Sequence, residues 1–217
     1  MSVTHATLAT GVDGPRLRLM LGLADSVAEK GYAATTIADI VAHARVSKRT
    51  FYEHFIDKED CLLVMYEHVC DRFLEVLREA AAQPCEPWRE RVRATVFTYL
   101  SVMEAMPAAY RTLMVDIQAA GPRAFALRKR MQLRCAEVLR ELVEQGRVTE
   151  PEVRPLSPAV AVAIVGGINE LLLHALDPYA EVRLDTGDPE HPFTGLTEAV
   201  TELVSAVLAY HAPGPAM

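Results

Sequence analysis

Apolar residues recur at intervals of three and four positions along nearly the whole chain, and this spacing restricts the fold more than any other feature of the sequence. In residues 16–30, for example, Met20, Leu23, Ala24 and Val27 fall on one face of a helix. A convincing period-2 run between turn-forming residues, which would indicate a strand, is not found. The sequence therefore predicts an all-α protein.

Capping residues divide the first part of the chain into short helices. Gly31 suits the C-terminal cap of the first helix. Thr36 stands three residues before Asp39, a spacing typical of a capping box, and predicts a second helix that ends near residue 45. Ser47 can cap a third helix to residue 55, and Asp57 can cap a fourth from residue 58 to about residue 81. These short helices predict a compact helix-turn-helix unit.

A larger helical body follows the break at "AAAQPCEP". The helices expected there, separated by turns that contain Pro or Gly, are 87–105, 107–118, 122–146, 157–177 and 194–210. The segment 178–194 is rich in turn-forming residues and predicts an exposed loop. We expect a helix-turn-helix domain over residues 14–58 and a second domain over residues 59–212.

The charge of the chain is unevenly distributed. The whole sequence carries a net charge of -7, which opposes binding to nucleic acid and to anionic membranes. Residues 16–58 nevertheless hold seven basic and five acidic side chains, a local charge of +2. This asymmetry is a weak indication of a module that faces nucleic acid on an acidic body.

The sequence also predicts a cellular compartment. A run of about 18 uncharged apolar residues and a signal peptide are both absent from it, so we expect a cytoplasmic protein without a membrane partner. The cysteines are widely spaced, without a CxxC pair, which favours reduced thiols over a disulfide framework or a zinc site. They are Cys61, Cys70, Cys85 and Cys135.

The decamer "VSKRTFYEHF", which begins at residue 46, combines basic and aromatic residues directly after a turn. Phe51 and Phe55 are four residues apart and are expected to face inward, so their polar neighbours project elsewhere. In a helix-turn-helix the second helix lies in the major groove of DNA. The candidate contacts at the start of this helix, along it and at the next helix start are Lys48, Arg49, Thr50, Tyr52, His54 and Lys58. The alternative is that the basic residues are solvated surface charges.

Residues 31–62, "GYAATTIADIVAHARVSKRTFYEHFIDKEDCL", resemble the N-terminal signature of the TetR family of bacterial transcriptional regulators. The resemblance implies a homodimer of subunits with about nine helices, each with a DNA-binding head and a C-terminal body that binds an effector and dimerises. It usually means repression relieved by a small molecule. It also implies that Thr36 contacts a phosphate, that Lys48, Arg49 and Thr50 contact bases and backbone, and that Tyr52, His54 and Lys58 bind phosphates.

Two positions depart from the family pattern. Arg45 stands where the turn usually has Gly, and Val41 stands where a smaller residue is commoner. If the turn needs a left-handed backbone, a non-Gly residue costs on the order of 1 kcal/mol there. Arg45 in turn offers a further phosphate contact.

Aromatic and methionine residues recur at helical spacing in the body and suit either a core or a cavity for apolar ligands. The candidate cavity residues are Trp88, Phe97, Tyr99, Met103, Met106, Tyr110, Met114, Phe125 and Met131. Asn169, Glu170 and His174 interrupt the most apolar helix, and buried polar groups need partners. Glu170 and His174 either satisfy each other or an interface partner, or they bind the polar end of a ligand.

Helix 157–177 is apolar on nearly all sides, and the pair Gly166-Gly167 allows another backbone to approach closely. Doubled by a twofold axis, this helix and the final helix would form a four-helix dimer interface. The final helix contributes an apolar stripe of Leu196, Val200, Leu203, Val204, Val207 and Leu208. A single intramolecular core is the alternative.

The sequence carries no GxSxG, HExxH, phosphate-binding glycine loop or CxxC, so it predicts no enzyme, no cofactor and no metal site. The favoured function is a homodimeric regulator that represses transcription from a palindromic DNA operator and is released by a small, largely apolar effector. The alternatives are a redox-responsive regulator that senses through Cys61 or Cys70, and a ligand-binding module without specific DNA recognition.

Overall fold

The computed structural model describes residues 14–83, 86–105, 117, 120–176 and 191–209. Within these ranges the chain is helical and contains no strand, which confirms the predicted all-α class. The described part contains the α-helices α1 (Gly14–Ala34), α2 (Ile37–Ala44), α3 (Lys48–His54), α4 (Lys58–Ala81), α5 (Trp88–Glu104), α6 (Pro122–Gly146), α7 (Pro158–Leu176) and α8 (Thr197–Ala209), with a short 3-10 helix at Thr194–Leu196 before α8.

Helix boundaries in the described part follow the capping and turn signals of the sequence. Helices α4 and α6 begin and end at the predicted residues, α3 ends one residue earlier than predicted, and α5 and α7 are each one residue shorter at both ends. The predicted helix 107–118 lies outside the described residues apart from Ile117, which is helical. Most of the predicted loop 178–194 also lies outside them.

Helix α1 is interrupted at Gly31, the residue at which the sequence predicts that the first helix ends. Gly31 has a non-helical backbone with φ 77° and ψ 161°, and a short helical segment continues beyond it to Ala34. A positive φ is accessible to Gly without the steric cost that a Cβ would bring. Gly31 therefore ends the regular part of α1, and the segment that follows it was not predicted.

The predicted caps are present with good hydrogen-bond geometry. The N–H of Thr36 donates to Asp39 Oδ2 at 2.8 Å and the N–H of Asp39 donates to Thr36 Oγ1 at 3.3 Å, which completes a capping box on α2. Ser47 Oγ accepts from the N–H of Thr50 at 3.0 Å, and Asp57 Oδ1 accepts from the N–H of Asp60 at 2.7 Å. These bonds satisfy amides at helix starts that have no intrahelical partner.

Contacts between Cα atoms divide the chain into two compact units, Met1–Phe73 with Ala105–Met131, and Leu74–Glu104 with Gln132–Met217. The helices α4 and α6 therefore each contribute to both units. The domain boundary that the sequence places between residues 58 and 59 stays a prediction.

The N-terminal unit has a tightly packed core of apolar side chains from its first helices. Leu19, Leu23, Ile40 and Phe51 are fully buried there. The backbones of α1 and α2 approach closely at Gly22, where a Cβ atom would lie 2.5 Å from the carbonyl oxygen of Ile40. An isolated Gly within a helical pattern is a sign of such an approach, and the sequence analysis did not single out this one.

In the second unit, the end of α5 is attached to the segment that opens α8. One carboxylate oxygen of Glu104, Oε2, accepts hydrogen bonds from the backbone N–H of Phe193 at 2.8 Å and of Thr194 at 2.9 Å. Phe193 is fully buried beside this carboxylate. These hydrogen bonds hold the segment before α8 at the C-terminal end of α5.

Helix α7 is strongly apolar, yet only a small part of it is buried against the rest of the chain. Within the described residues it is the one helix long and apolar enough to cross a membrane by length and composition, and 17% of its most apolar window is buried within the chain. An apolar helix in water normally buries at least one face against another element. Helix α7 therefore retains apolar surface that the described part of the chain does not cover.

Candidate DNA-binding surface and effector cavity

The turn between α2 and α3 sets the direction of α3 relative to α2. Arg45 has a left-handed backbone with φ 54° and ψ 46°. This is the conformation for which the family pattern has Gly at this position. The N–H of Val46 donates to the carbonyl of Val41 at 3.1 Å across the turn. The side chain of Arg45 is exposed on the outside of this turn.

Helix α3 has one buried and one exposed face. Phe51 and Phe55 are 0% and 2% exposed and their ring centroids lie 5.7 Å apart, so this pair attaches the helix to the core, as the sequence predicts. Tyr52 stacks edge-on against Phe51 but is itself 60% exposed. The outward face of α3 and its first turn presents the exposed side chains of Lys48, Arg49, Tyr52, Glu53 and His54.

Two of the candidate base-contacting residues have partners on α3 or at its N-cap. Arg49 Nε donates to Glu53 Oε1 at 3.1 Å, a surface ion pair in which Arg49 is 90% exposed. Such exposed pairs contribute little free energy, so Arg49 can exchange Glu53 for another acceptor. Thr50 is half-buried and its hydroxyl lies 2.9 Å from Ser47 Oγ, so Thr50 forms part of the helix cap.

Thr36 is occupied by its capping role. Its hydroxyl donates to Asp39 Oδ2 at 2.6 Å, and Lys30 forms an ion pair with the other oxygen of Asp39 at 2.7 Å. The hydrogen bond from Lys30, followed by those from Thr36, holds the pKa of Asp39 well below its usual range. A phosphate contact from Thr36, as the resemblance implies, would have to compete with this carboxylate.

Lys58 does not have the position expected of a phosphate-binding residue. Its Nζ donates to the carbonyls of Tyr32 at 2.8 Å and Thr35 at 2.7 Å, and lies 4.3 Å from the centroid of the Tyr32 ring. Burial, followed by Glu59 and Asp57, raises the pKa of Tyr32 to about 12, so that ring stays neutral. In this structure Lys58 attaches the start of α4 to the end of α1.

The second unit contains a half-open cavity of about 380 Å³. Its wall is mostly apolar and is formed by the end of α4, by α5, α6, α7 and α8, and by the connection after α6. The volume falls within the range of ordinary small-molecule sites. The apolar side chains that form most of the wall include Leu77, Val92, Val96, Leu139, Leu142, Val143, Val153, Val165, Ile168, Val200, Val204 and Leu208.

The cavity agrees only in part with the residues chosen from the sequence. Trp88, Tyr99 and Asn169 line it. The other described candidates lie elsewhere, because the helical stripes that carry them point into the core or into solvent: Met103 and Met131 are buried, whereas Phe97 and Phe125 are 49% and 51% exposed, and Glu170 and His174 are exposed. Met106, Tyr110 and Met114 lie outside the described residues.

One ion pair lies in the cavity wall, and the sequence analysis missed it. Arg91 Nη2 contacts Glu150 Oε2 at 2.8 Å, with side-chain exposures of 22% and 13%. Arg91 belongs to the first turns of α5, whereas Glu150 follows the end of α6. Their separation of 59 residues gives no local spacing signal that could have revealed the pair.

The stripe predicted for the dimer interface divides between two environments. Leu196, Val200 and Val204 are 2% to 5% exposed and packed within their own subunit, so their assignment to an interface is not supported. Leu203 and Val207 point the other way and line a shallow outer groove. That groove is completed by Arg154, Val160, Ala199, Glu202 and Ala206.

The two glycines of α7 already have neighbours within the chain. A Cβ on Gly166 would lie 3.4 Å from the side chain of Gln132, and one on Gly167 would lie 3.6 Å from Leu203. These are ordinary contact distances and require no close backbone crossing at either glycine. The burial expected for Glu170 and His174 is also absent within the chain, since both side chains are exposed.

None of the described cysteines takes part in a disulfide bond. Burial raises the pKa of the Cys61 thiol. Burial also raises the pKa of Cys135 to about 11, and this residue lines the cavity. A thiol with a raised pKa is a poor nucleophile at neutral pH. Across the described ranges, no three His, Cys, Asp or Glu side chains gather in a way that could hold a metal ion. Cys85 lies outside those ranges.

Comparison with known proteins agrees with this arrangement of a helix-turn-helix and a helical body. Residues 24–65 match the family model described as "Bacterial regulatory proteins, tetR family". The HTH-type transcriptional activator FasR of Mycolicibacterium smegmatis is 24% identical over 133 residues, which cover 61% of this chain and 60% of FasR.

Solved structures share the fold over most of the chain. The fatty acid degradation regulator FadR from Bacillus halodurans superposes with a TM-score of 0.74 at 16% identity, covering 93% of this chain and 100% of that one. FadR from Bacillus subtilis, solved in complex with stearoyl-CoA, superposes with a TM-score of 0.69 at 16% identity, covering 90% and 99%. Residues 24–65 are therefore similar to the N-terminal part of the TetR family of bacterial transcriptional regulators, and the chain shares its fold with solved bacterial regulators.

Proposed function

We propose that this protein is a ligand-responsive transcriptional regulator that binds a palindromic operator as a homodimer, represses transcription, and is released when a small, largely apolar effector enters the cavity. The observation that carries the proposal is the presence, in one chain, of a polar, exposed α3 and of a half-open, mostly apolar cavity. The chain itself therefore contains both a candidate DNA-binding element and a candidate sensing site.

The similar proteins support an apolar effector, and one of them is named for the opposite sign of regulation. FadR from Bacillus subtilis was solved with stearoyl-CoA, which carries a long apolar chain. FasR is named an activator. Repression is the mode we favour, because effector binding then needs only to weaken DNA binding, without a contact to the transcription machinery.

The homodimer is supported by the outer surface of α7 and α8. Helix α7 leaves apolar surface uncovered, and Leu203, Val207 and Val160 line a groove beside it. A second copy of the chain supplies the same apolar surface across a twofold axis, which is the commonest symmetry of homo-oligomers. A twofold pair of recognition helices also matches a palindromic operator. Glu170 and His174, exposed on α7, would lie near this interface.

DNA recognition is tested by replacing Arg49. Arg49→Ala is expected to lower affinity for the operator by roughly 1–3 kcal/mol, because an Arg at the start of a recognition helix can contact a guanine edge with two hydrogen bonds. Mobility shifts on DNA that flanks the coding region, with a scrambled duplex as control, measure the change. The variant should lose operator affinity while nonspecific affinity changes little.

Glu53→Gln is the matched control, because it removes the partner of Arg49 on α3 and leaves Arg49 in place. Its operator affinity should equal or exceed that of the native protein. An equal loss on both duplexes for Arg49→Ala would make Arg49 a backbone contact. A complete absence of sequence-specific, salt-sensitive binding by the native protein would contradict the proposed function.

Dimerisation is tested on the outer groove. Leu203→Glu places a charge among apolar side chains and is expected to convert the dimer to a monomer in sedimentation velocity, because burying an unpaired charge is costly. Val148→Glu is the control, since Val148 is 83% exposed on the turn after α6. Unchanged mass for both variants would show that the dimer uses another surface.

A further inference from the structure

The cavity is elongated, and its charge lies at one end. Its lining positions on α5 run from Trp88 to Tyr99 and those on α6 run from Cys135 to Gly146, so each row spans roughly 16 Å at the rise of an α-helix. Arg91, near the start of α5, meets Glu150, just after the end of α6, so the two helices run in opposite directions along the cavity. The ion pair therefore marks one end of a mostly apolar channel, whose other polar lining residues are uncharged.

Arg91 and Glu150 are the charged side chains among the described residues that line the cavity. They compensate each other at 2.8 Å, and both are largely withdrawn from water. A ligand with a carboxylate would place a second anion beside Glu150, and like charges in a partly buried site oppose each other. A ligand with a neutral oxygen acceptor leaves the pair intact and can still accept a hydrogen bond from the guanidinium, which has several N–H donors.

We propose that the effector is an uncharged molecule with an apolar chain and a carbonyl acceptor, such as an ester, thioester, amide or lactone, and that Arg91 binds this carbonyl while Glu150 excludes free carboxylic acids. The inference rests on the proposed function, because it assigns the polar end of the effector within the same cavity. If each non-hydrogen atom of the ligand occupies about 30 Å³, as a water molecule does, the cavity of about 380 Å³ holds roughly a dozen of them.

Binding can be measured directly through Trp88, because the sequence contains one tryptophan and it lines the cavity. Fluorescence titrations, checked by calorimetry, would use octanoate, N-methyloctanamide and methyl octanoate, which share one acyl chain and differ at the carbonyl end. At neutral pH the native protein is expected to bind the amide and the ester at least about tenfold more tightly than octanoate, the effect of one charged group left without compensation.

Glu150→Gln should reverse this preference. The variant removes the anion that lies 2.8 Å from Arg91 and would repel a carboxylate, so octanoate is expected to gain about tenfold or more in affinity and to overtake the amide. Arg91→Gln should weaken binding of all three compounds. If Arg91→Gln does not fold, Arg91→Lys replaces it in the experiment, because it keeps the positive charge. The control is Glu198→Gln, which breaks the exposed pair between Glu198 on α8 and Arg93, a residue of the same helix as Arg91. This pair lies outside the cavity, so its loss should leave the order of affinities unchanged.

The outcomes separate the two proposals. Octanoate binding as tightly as the amide to the native protein, an unchanged order of affinities in Glu150→Gln, or no change in Trp88 fluorescence with any of the three compounds would each overturn the inference. Operator binding by the same preparations in mobility shifts would then leave the proposed function standing. Loss of specific DNA binding by the native protein would instead contradict the proposed function itself.

Discussion

Gly22→Ala is expected to destabilise the N-terminal unit by roughly 3 kcal/mol, near the upper end of the cost of overpacking. The added Cβ would lie 2.5 Å from the carbonyl oxygen of Ile40 and 3.0 Å from the backbone nitrogen of Ala44. Both atoms belong to the backbone of α2, so no side-chain rotation can relieve the contact. The helices α1 and α2 would have to separate, and thermal or urea denaturation measures the loss.

Gly167→Ala is the matched control, because it makes the same change in the interior of another helix. A Cβ there would meet the side chain of Leu203 at 3.6 Å, an ordinary contact. Since Gly within a helix costs about 0.5–1 kcal/mol relative to Ala, this variant should be as stable as the native protein or more stable. Equal effects at the two positions would show that the approach of α1 to α2 is not as close as the structure places it.

Lys58→Met is expected to destabilise the N-terminal unit by about 3 kcal/mol and to leave the salt dependence of DNA binding unchanged. The substitution removes charged hydrogen bonds to the carbonyls of Tyr32 and Thr35, each of which contributes about 1.5–3 kcal/mol. A phosphate contact would behave differently, because its loss reduces the salt slope by about one charge per subunit. Urea denaturation and binding titrations at several salt concentrations distinguish the two roles.

Lys48→Met provides the opposite expectation for comparison. Lys48 is exposed at the start of α3, so its replacement should reduce the salt slope and leave stability nearly unchanged. If Lys58→Met instead reduced the salt slope at constant stability, Lys58 would be the phosphate contact that the family resemblance implies, and its position in this structure would be that of the DNA-free protein only.

The helices and caps of the N-terminal unit could be predicted because their signals are local. Thr36 with Asp39, and Ser47 with Thr50, are three residues apart, and the physical reason for each spacing is a hydrogen bond to an amide in the first helical turn. The inward positions of Phe51 and Phe55 follow from the same helical period. Each of these features depends on neighbouring residues alone.

Positions in the second unit were harder to predict, because helical spacing shows that a face is apolar without showing what covers it. Val200 and Val204 were assigned to an interface and line the cavity, while Leu203 and Val207, on the same stripe, line the outer groove. Phe97 has the size expected of a cavity residue and is half-exposed. The direction of a stripe relative to other helices is a property of their packing.

The sequence by itself determined the all-α class, most of the helix boundaries and the polar composition of α3, because helical period, caps and turns act over a few residues. Tertiary structure alone decided the partners of groups distant in the chain. It placed Lys58 on the carbonyls of Tyr32 and Thr35, brought the backbones together at Gly22, and joined Arg91 to Glu150 across 59 residues. Such contacts arise from the way helices pack, and chain-local patterns do not encode which distant residues that packing brings together.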